Sequence, residues 1–175
     1  MHFSQLFKHC PVCGSANFKP NNEKSKRCES CHFVYYINAS AAVAAFIEND
    51  EKQLLVCVRG KEPAKGTYDL PGGFVDANES AEQAVIREIN EELGANVAQS
   101  DYLFSLPNEY EYSGMTIPTL DMFYKCVLKD NRNLQPADDV AECFFLNKDE
   151  IDPGKFGLNS IRKAVALFLE NSPNK

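Results

Sequence analysis

Residues Gly73 to Ala95 read GFVDANESAEQAVIREINEELGA, and the second half predicts a helix from Ala81 to Leu93. Ser80 followed by Gln83 has the spacing of a capping box, and Gly94 stands where a left-handed residue would stop the helix. Val85, Ile86, Ile89 and Leu93 form an apolar stripe. Glu88, Glu91 and Glu92 stand at i, i+3 and i+4, so their carboxylates share another face. Like charges this close repel, so an isolated helix gains nothing from them. A divalent cation reverses the sign, because hard ions such as magnesium take clustered carboxylate oxygens. A solvated acidic face is the alternative, and the flanking residues decide between the two.

With its flanks the stretch reads G-x5-E-x7-R-E-I-x-E-E-x-G-A, through Gly73, Glu79, Arg87, Glu88, Ile89, Glu91, Glu92, Gly94 and Ala95. This resembles the signature of the Nudix hydrolases, which cleave nucleoside diphosphates linked to another moiety. Every polar and glycine position is filled. Ala95 stands where the family usually has a larger aliphatic residue. The resemblance implies an α+β fold, a Nudix-type α/β/α sandwich around a mixed sheet. It implies Glu88 and Glu92 as core ligands of magnesium (or manganese), with Glu91 as a further ligand or the base. It also implies Arg87 orienting a carboxylate, Glu79, through a bidentate pair, and the Gly72 carbonyl as a backbone ligand. Family members differ in which glutamate deprotonates the water, and a helix alone does not decide it. Many recruit another acid outside the helix. In Asp138-Asp139-Val140-Ala141-Glu142, Asp139 holds the position where Glu is common, with a solvated turn as the alternative.

The chain has 175 residues, enough for one ordinary domain with a small appendage. A hydrophobic content of 44% and a charged content of 25% are those of a soluble globular protein. A formal charge of −7 argues against broad electrostatic binding to nucleic acid or acidic membranes. No apolar run approaches the roughly 18 residues of a membrane span, and MHFSQLFKHC lacks the apolar core of a secretory signal, so a cytoplasmic protein is expected.

Four of the seven cysteines, Cys10, Cys13, Cys28 and Cys31, are spaced C-x2-C-x14-C-x2-C. Each pair can form a tight knuckle presenting two thiolates, and two knuckles complete tetrahedral zinc. Gly14 suits the turn after the first pair. Four protein ligands leave no open position, which predicts a structural site in a zinc ribbon over residues 1–36. A module of about 35 residues cannot build its own core, and metal binding would supply its folding energy. His9 and His32 adjoin the ligands and could replace one. Cys57, Cys126 and Cys143 lie in apolar runs and read as buried small hydrophobes.

Residues 37–175 form the second predicted domain, the Nudix hydrolase domain. Asn21 to Lys26 reads as the polar tip between the knuckles, and Phe33 to Tyr36 as a strand-like exit. Strands are predicted at Ala41–Ile47, Gln53–Arg59, Asn96–Ala98, Tyr102–Leu106, Thr119–Leu128 and Val140–Leu146. Gly60 to Thr67 reads as a flexible loop carrying Lys61 and Lys65, and Pro107 to Pro118 as a loop rich in Glu and Tyr. Asn159–Glu170 predicts an amphipathic closing helix, with a frayed tail from Asn171.

The substrate candidates are spread more widely. Phe74, Tyr110 and Tyr112, with Tyr68, could stack a nucleobase. Arg59 is a cationic candidate, Gly73 permits close backbone approach, and Asp121 is an acid inside a strand. A zinc ribbon joined to a Nudix domain resembles the NADH pyrophosphatase and ADP-ribose pyrophosphatase branch. Ser105-Leu106-Pro107-Asn108 keeps the Ser and Pro of that branch's S-Q-P-W motif and replaces its Gln and Trp. The length is short for the additional N-terminal domain such enzymes often have. The resemblance thus implies a small-molecule nucleotide substrate of the ADP-ribose or NADH type, and a homodimer as in many family members. The alternatives are a nucleoside triphosphate pyrophosphohydrolase and a non-catalytic nucleotide sensor that docks a partner through the ribbon.

Overall fold

The structure is a computed structural model and describes residues 7–171. The expectations for the first residues of the N-terminal stretch and for the tail beyond Asn171 lie outside them. The chain divides into two units. One holds the described residues up to Ser40 with Glu109–Pro118, and the other Ala41–Asn108 with the chain from Thr119 onward.

In the first unit, β1 (Phe18–Asn22), β2 (Ser25–Cys28) and β3 (Val34–Tyr36) form an antiparallel sheet. The polar stretch Asn21 to Lys26 is therefore mostly strand, with only Glu23 and Lys24 left to turn. Lys26 is buried, against the expectation from its polar neighbours. Its ammonium donates to the Phe7 carbonyl and lies 4.9 Å from the centre of the Phe18 ring. Phe18 in turn packs with Cys10 and Cys28 in the small core of this unit.

The second unit is built from β4 (Ser40–Ile47), β5 (Leu54–Arg59), β6 (Tyr68–Asp69), α1 (Ala81–Leu93), β7 (Val97–Tyr112), β8 (Met115–Leu128), β9 (Val140–Leu146) and α2 (Asn159–Glu170), with strand ends reaching the first unit. The strands run in the orders β4-β8-β7 and β6-β5-β9. Strand alternation then decides which helix each side chain meets. Val43, Ala45 and Ile47 of β4, Leu55 and Cys57 of β5, and Tyr124 and Cys126 of β8 share a core with Ala84, Val85, Ile89 and Leu93 of α1. Their neighbours Ala44, Phe46, Leu54, Val56 and Phe123 point the other way, onto Ile161, Ala164, Val165 and Phe168 of α2. The result is the expected layering of helix, sheet and helix. Each fully buried aliphatic or aromatic side chain in it contributes about 1.5–3 kcal/mol.

Helix α1 has the predicted bounds. Ser80 and Gln83 form a reciprocal capping box, and Gly94 ends the helix with φ 63°. One member of the predicted stripe fails: Ile86 is 44% exposed, and Ala84 is buried instead. Positions 84, 85, 89 and 93 leave Ile86 turned away from the sheet. The Pro107–Pro118 stretch is also not a loop. Strands β7 and β8 run through both prolines and meet at a two-residue turn, Ser113-Gly114, with φ of 52° and 76°. Positive φ at both central residues is the turn whose twist suits a hairpin. The short strands expected at residues 96–98 and 102–106 are one continuous β7.

Candidate functional site

The segment after β6 runs along β4, with Ala45 N–H donating to the Pro71 carbonyl, Val43 N–H to the Gly73 carbonyl and Val75 N–H to the Ala41 carbonyl. Gly72 is thereby pressed into β4 at φ 151°, and a Cβ there would overlap the Val43 carbonyl oxygen. Only glycine fits this approach. The Gly72 N–H donates to Glu92 Oε2 at 2.8 Å, and Gly73 makes room for the Glu88 carboxylate, which a Cβ would strike. The paired glycines thus receive two of the three helix carboxylates.

Arg87 fixes the rest. Its Nε and Nη2 each donate to one oxygen of Glu79 at 2.9 Å, in a bidentate pair. Nη1 donates to Glu88 at 2.8 Å and to Glu91 at 2.9 Å, and Nη2 also reaches the Phe74 carbonyl at 3.0 Å. The guanidinium holds the Glu79 carboxyl below its usual range, with help from the Asp76 N–H, and Glu79 chiefly drives the Arg87 value upward.

The buried glutamates behave oppositely. Burial, then the charges of Glu88, Asp69 and Asp139, push Glu92 up to about 9 against the Gly72 N–H. Burial likewise raises Glu88 against the pull of Arg87, and Glu91 and Asp138 add to the rise. Two carboxyls enclosed beside further acids accept either protons or a cation. A hard divalent ion suits this all-oxygen donor set, so the residues fit magnesium or manganese. Glu91 is half-exposed at the edge of the group. Among the described residues, the four cysteines are the acidic or thiol group whose ligand atoms all converge within 4.8 Å. The helix carboxylates are not drawn together to that degree.

Asp139 lies immediately before β9 with its carboxylate 2.6 Å from Lys61 Nζ, and Asp138 is 2.7 Å from the same nitrogen. The flexible-loop reading of Gly60 to Thr67 therefore misses a tether. Arg59 pairs with Asp69, both nearly buried, and donates from Nε to the Pro63 carbonyl at 2.7 Å. Asp121 is buried too. It accepts from Thr119 at 2.6 Å, Asn108 at 3.0 Å and Ser160 at 2.5 Å, an arrangement that ties β8 to α2. Phe74 is partly exposed beside the Arg87 contact. Tyr110 and Tyr112 belong to the Glu109–Pro118 segment of the other unit.

Two residues that bear on the site escape the sequence reading. Asp69 sits opposite Cys57 on β5 and raises Glu92 by its charge. Its signal was an acid immediately before the Leu70-Pro71-Gly72-Gly73 run. Lys61 had no signal beyond being a cation in a loop.

The first unit carries a second candidate metal site. Cys10 Sγ and Cys31 Sγ are 3.7 Å apart, and Cys13 Sγ and Cys28 Sγ 3.6 Å. A tetrahedron with metal–sulfur bonds of about 2.3 Å has edges of about 3.8 Å, so the four sulfurs fit zinc. The knuckles are alike. Gly14 N–H donates to the Cys10 carbonyl and His32 N–H to the Cys28 carbonyl, with φ of 72° and 64°. His9 and His32 are both exposed.

The NUDIX domain matches residues 39–168. An NAD-capped RNA hydrolase NudC from Pseudomonas aeruginosa (strain LESB58) is 32% identical over 162 residues, covering 93% of this chain and 55% of that protein. The protein of the same name from Vibrio atlanticus (strain LGP32) is 31% identical over 114 residues, 65% of this chain and 42% of its own. The chain thus spans about half the length of these relatives. A solved NUDIX hydrolase from Nitrosomonas europaea shares the fold at a TM-score of 0.71 and 23% identity, covering 93% of this chain and 90% of that one. A bifunctional NMN adenylyltransferase/ADP ribose pyrophosphatase from Francisella tularensis does so at 0.59 and 20%, over 78% of this chain and 42% of its own. No helix among the described residues is long and apolar enough to cross a membrane. With the domain matched across most of its length and the Glu79–Arg87–Glu92 constellation assembled around Gly72 and Gly73, the chain belongs to the NUDIX domain family.

Proposed function

We propose that this chain is a magnesium- or manganese-dependent pyrophosphatase that cleaves the diphosphate linkage of a nucleoside diphosphate derivative of the NADH or ADP-ribose type. The carrying observation is Arg87, which holds Glu79 bidentately and steadies Glu88 and Glu91, while Glu92 is pinned to the Gly72 N–H. A divalent cation, when bound, neutralises diphosphate oxygens and lowers the pKa of bound water. Glu88, Glu92, Asp139 and the Gly72 carbonyl would hold it. Glu91, the most exposed of the three helix acids, adds a ligand or takes the proton from the water. Water adds to one phosphorus, the bond from that phosphorus to the bridging oxygen breaks, and two phosphate monoesters and a proton leave.

The relatives named NAD-capped RNA hydrolase favour the NADH-type substrate. NADH, ADP-ribose and RNA carrying a 5′ NAD therefore head a screen with magnesium, ahead of nucleotide sugars, dinucleoside polyphosphates and nucleoside triphosphates. The expected products are AMP, free or at the RNA 5′ end, and a phosphorylated partner. Glu92→Gln should abolish turnover in a protein that still folds. Nucleoside monophosphate plus pyrophosphate from triphosphates would replace this reading with the house-cleaning one. No hydrolysis of any candidate would replace it with a nucleotide sensor.

A further inference from the structure

The β5–β6 loop meets the acidic segment before β9 through one side chain and through its backbone. Lys61 Nζ bridges Asp138 at 2.7 Å and Asp139 at 2.6 Å. The backbone clamps the same place: Gly60 N–H donates to the Asp139 carbonyl at 2.6 Å, and a Cβ on Gly60 would stand 3.2 Å from that oxygen. Asp138 takes a left-handed conformation, φ 50°, at this junction. The charges of the two aspartates bear on the helix acids, Asp138 on Glu88 and Asp139 on Glu92. Lys61 thus pairs with two acids whose charges reach the helix glutamates, whereas Arg87 pairs with the glutamates themselves. The two also differ in form. Arg87 is a planar fork with its donors spread over three carboxylates and a carbonyl, whereas Lys61 is an ammonium on a flexible stem, 58% exposed. An ion pair so open to water is readily exchanged.

We propose that Lys61 is an exchangeable cation: it covers Asp139 while the site lacks metal, yields that carboxylate to the divalent ion, and then anchors the diphosphate. The proposal rests on the divalent-metal pyrophosphatase reading above. A divalent ion and an ammonium on one carboxylate repel each other, so metal binding weakens the exposed Lys61–Asp139 pair. The released ammonium stands beside the site where a polyanion must be neutralised beyond what the metal supplies.

The test measures Mn2+ binding to the zinc-loaded protein by electron paramagnetic resonance of free Mn2+, in wild type, Lys61→Met, Lys61→Arg, Asp139→Asn and the Lys61→Met/Asp139→Asn double variant. Kinetics follow on the substrate found by the screen. Lys61→Met should bind Mn2+ about two- to fivefold more tightly, because the competing cation is gone. That gain should vanish in the Asp139→Asn background. KM should rise about tenfold with kcat within about twofold, and Lys61→Arg should restore KM. Equal or weaker Mn2+ binding by Lys61→Met overturns the exchange, and an unchanged KM overturns the anchoring. A wild type that binds Mn2+ but hydrolyses nothing refutes the pyrophosphatase reading and the anchoring, while the exchange is still read from the metal data. A wild type that binds no Mn2+ refutes both readings.

Discussion

Arg87 and Glu79, eight residues apart, meet in two parallel hydrogen bonds of 2.9 Å, so the loop before α1 is locked to the middle of the helix. The same guanidinium steadies Glu88 and Glu91 and takes up the Phe74 carbonyl. Lysine keeps the charge and loses the fork. Arg87→Lys should therefore cost about 2 kcal/mol of stability, the scale of a charge-assisted hydrogen-bond network. It should also lower kcat at least tenfold, because three carboxylates lose their common brace. Thermal denaturation and steady-state kinetics check this, and a Lys variant with wild-type kcat would show that charge alone suffices.

Gly72 and Gly73 are neighbours with different tolerances. A methyl on Gly72 meets the Val43 carbonyl and the Ala44 Cα, which are strand backbone and cannot yield. Gly72→Ala should cost roughly 3 kcal/mol from combined strain and overpacking, or prevent soluble expression. A methyl on Gly73 meets the Glu88 carboxylate first. That side chain can swing aside, so Gly73→Ala should fold with a near-normal Tm and lose Mn2+ affinity and turnover. Equal loss of stability in the two variants would contradict this division.

The helix was legible because its cap, apolar spacing and stop residue are local, and all three agree on Ala81–Leu93. The ends of β9 and α2 also coincide with the expected ones. The bracing of Glu79 by Arg87 followed from the family pattern. What the sequence concealed depends on partners distant in the chain. Pro107 and Pro118 punctuate the sequence like loop boundaries, yet β7 and β8 run through them to the Ser113-Gly114 turn. Lys26 looks like a surface residue until Phe18 and the Phe7 carbonyl are placed around it. Lys61 and Asp138 are 77 positions apart, and no local periodicity announces their pairing.

Magnesium-free, zinc-loaded protein should lose stability as pH rises, because of Glu92. Its ordinary value of 4.5 applies in the unfolded chain, and enclosure lifts it to about 9 in the fold. Between these values the folded state holds a proton that the unfolded state has released, so unfolding becomes more favourable with each step up in pH. The Tm of magnesium-free protein should fall from about pH 5 to pH 9, and Glu92→Gln should remove most of the slope. Saturating magnesium should flatten it in the wild type, since the cation takes the place of the proton. Parallel Tm profiles for wild type and Glu92→Gln would mean that this carboxyl is not held protonated.

The ribbon offers a test of which residues bind its metal. Sulfur separations of 3.6 and 3.7 Å predict one zinc per chain by elemental analysis, with the Tm falling on chelation. Iron, or no metal, would refute the zinc assignment. His32 is the informative neighbour. It occupies in the second knuckle the left-handed position that Gly14 fills in the first, with φ of 64° against 72°. Were it a ligand, His32→Gly would release zinc. The four converged sulfurs leave it no such role, and a side chain in this conformation carries a steric cost that glycine lacks. His32→Gly should therefore keep its full zinc content and gain about 1 kcal/mol of stability, while the β-branched His32→Val should lose a similar amount. Zinc content and Tm, measured together on the two variants, separate a backbone role for His32 from a ligand role.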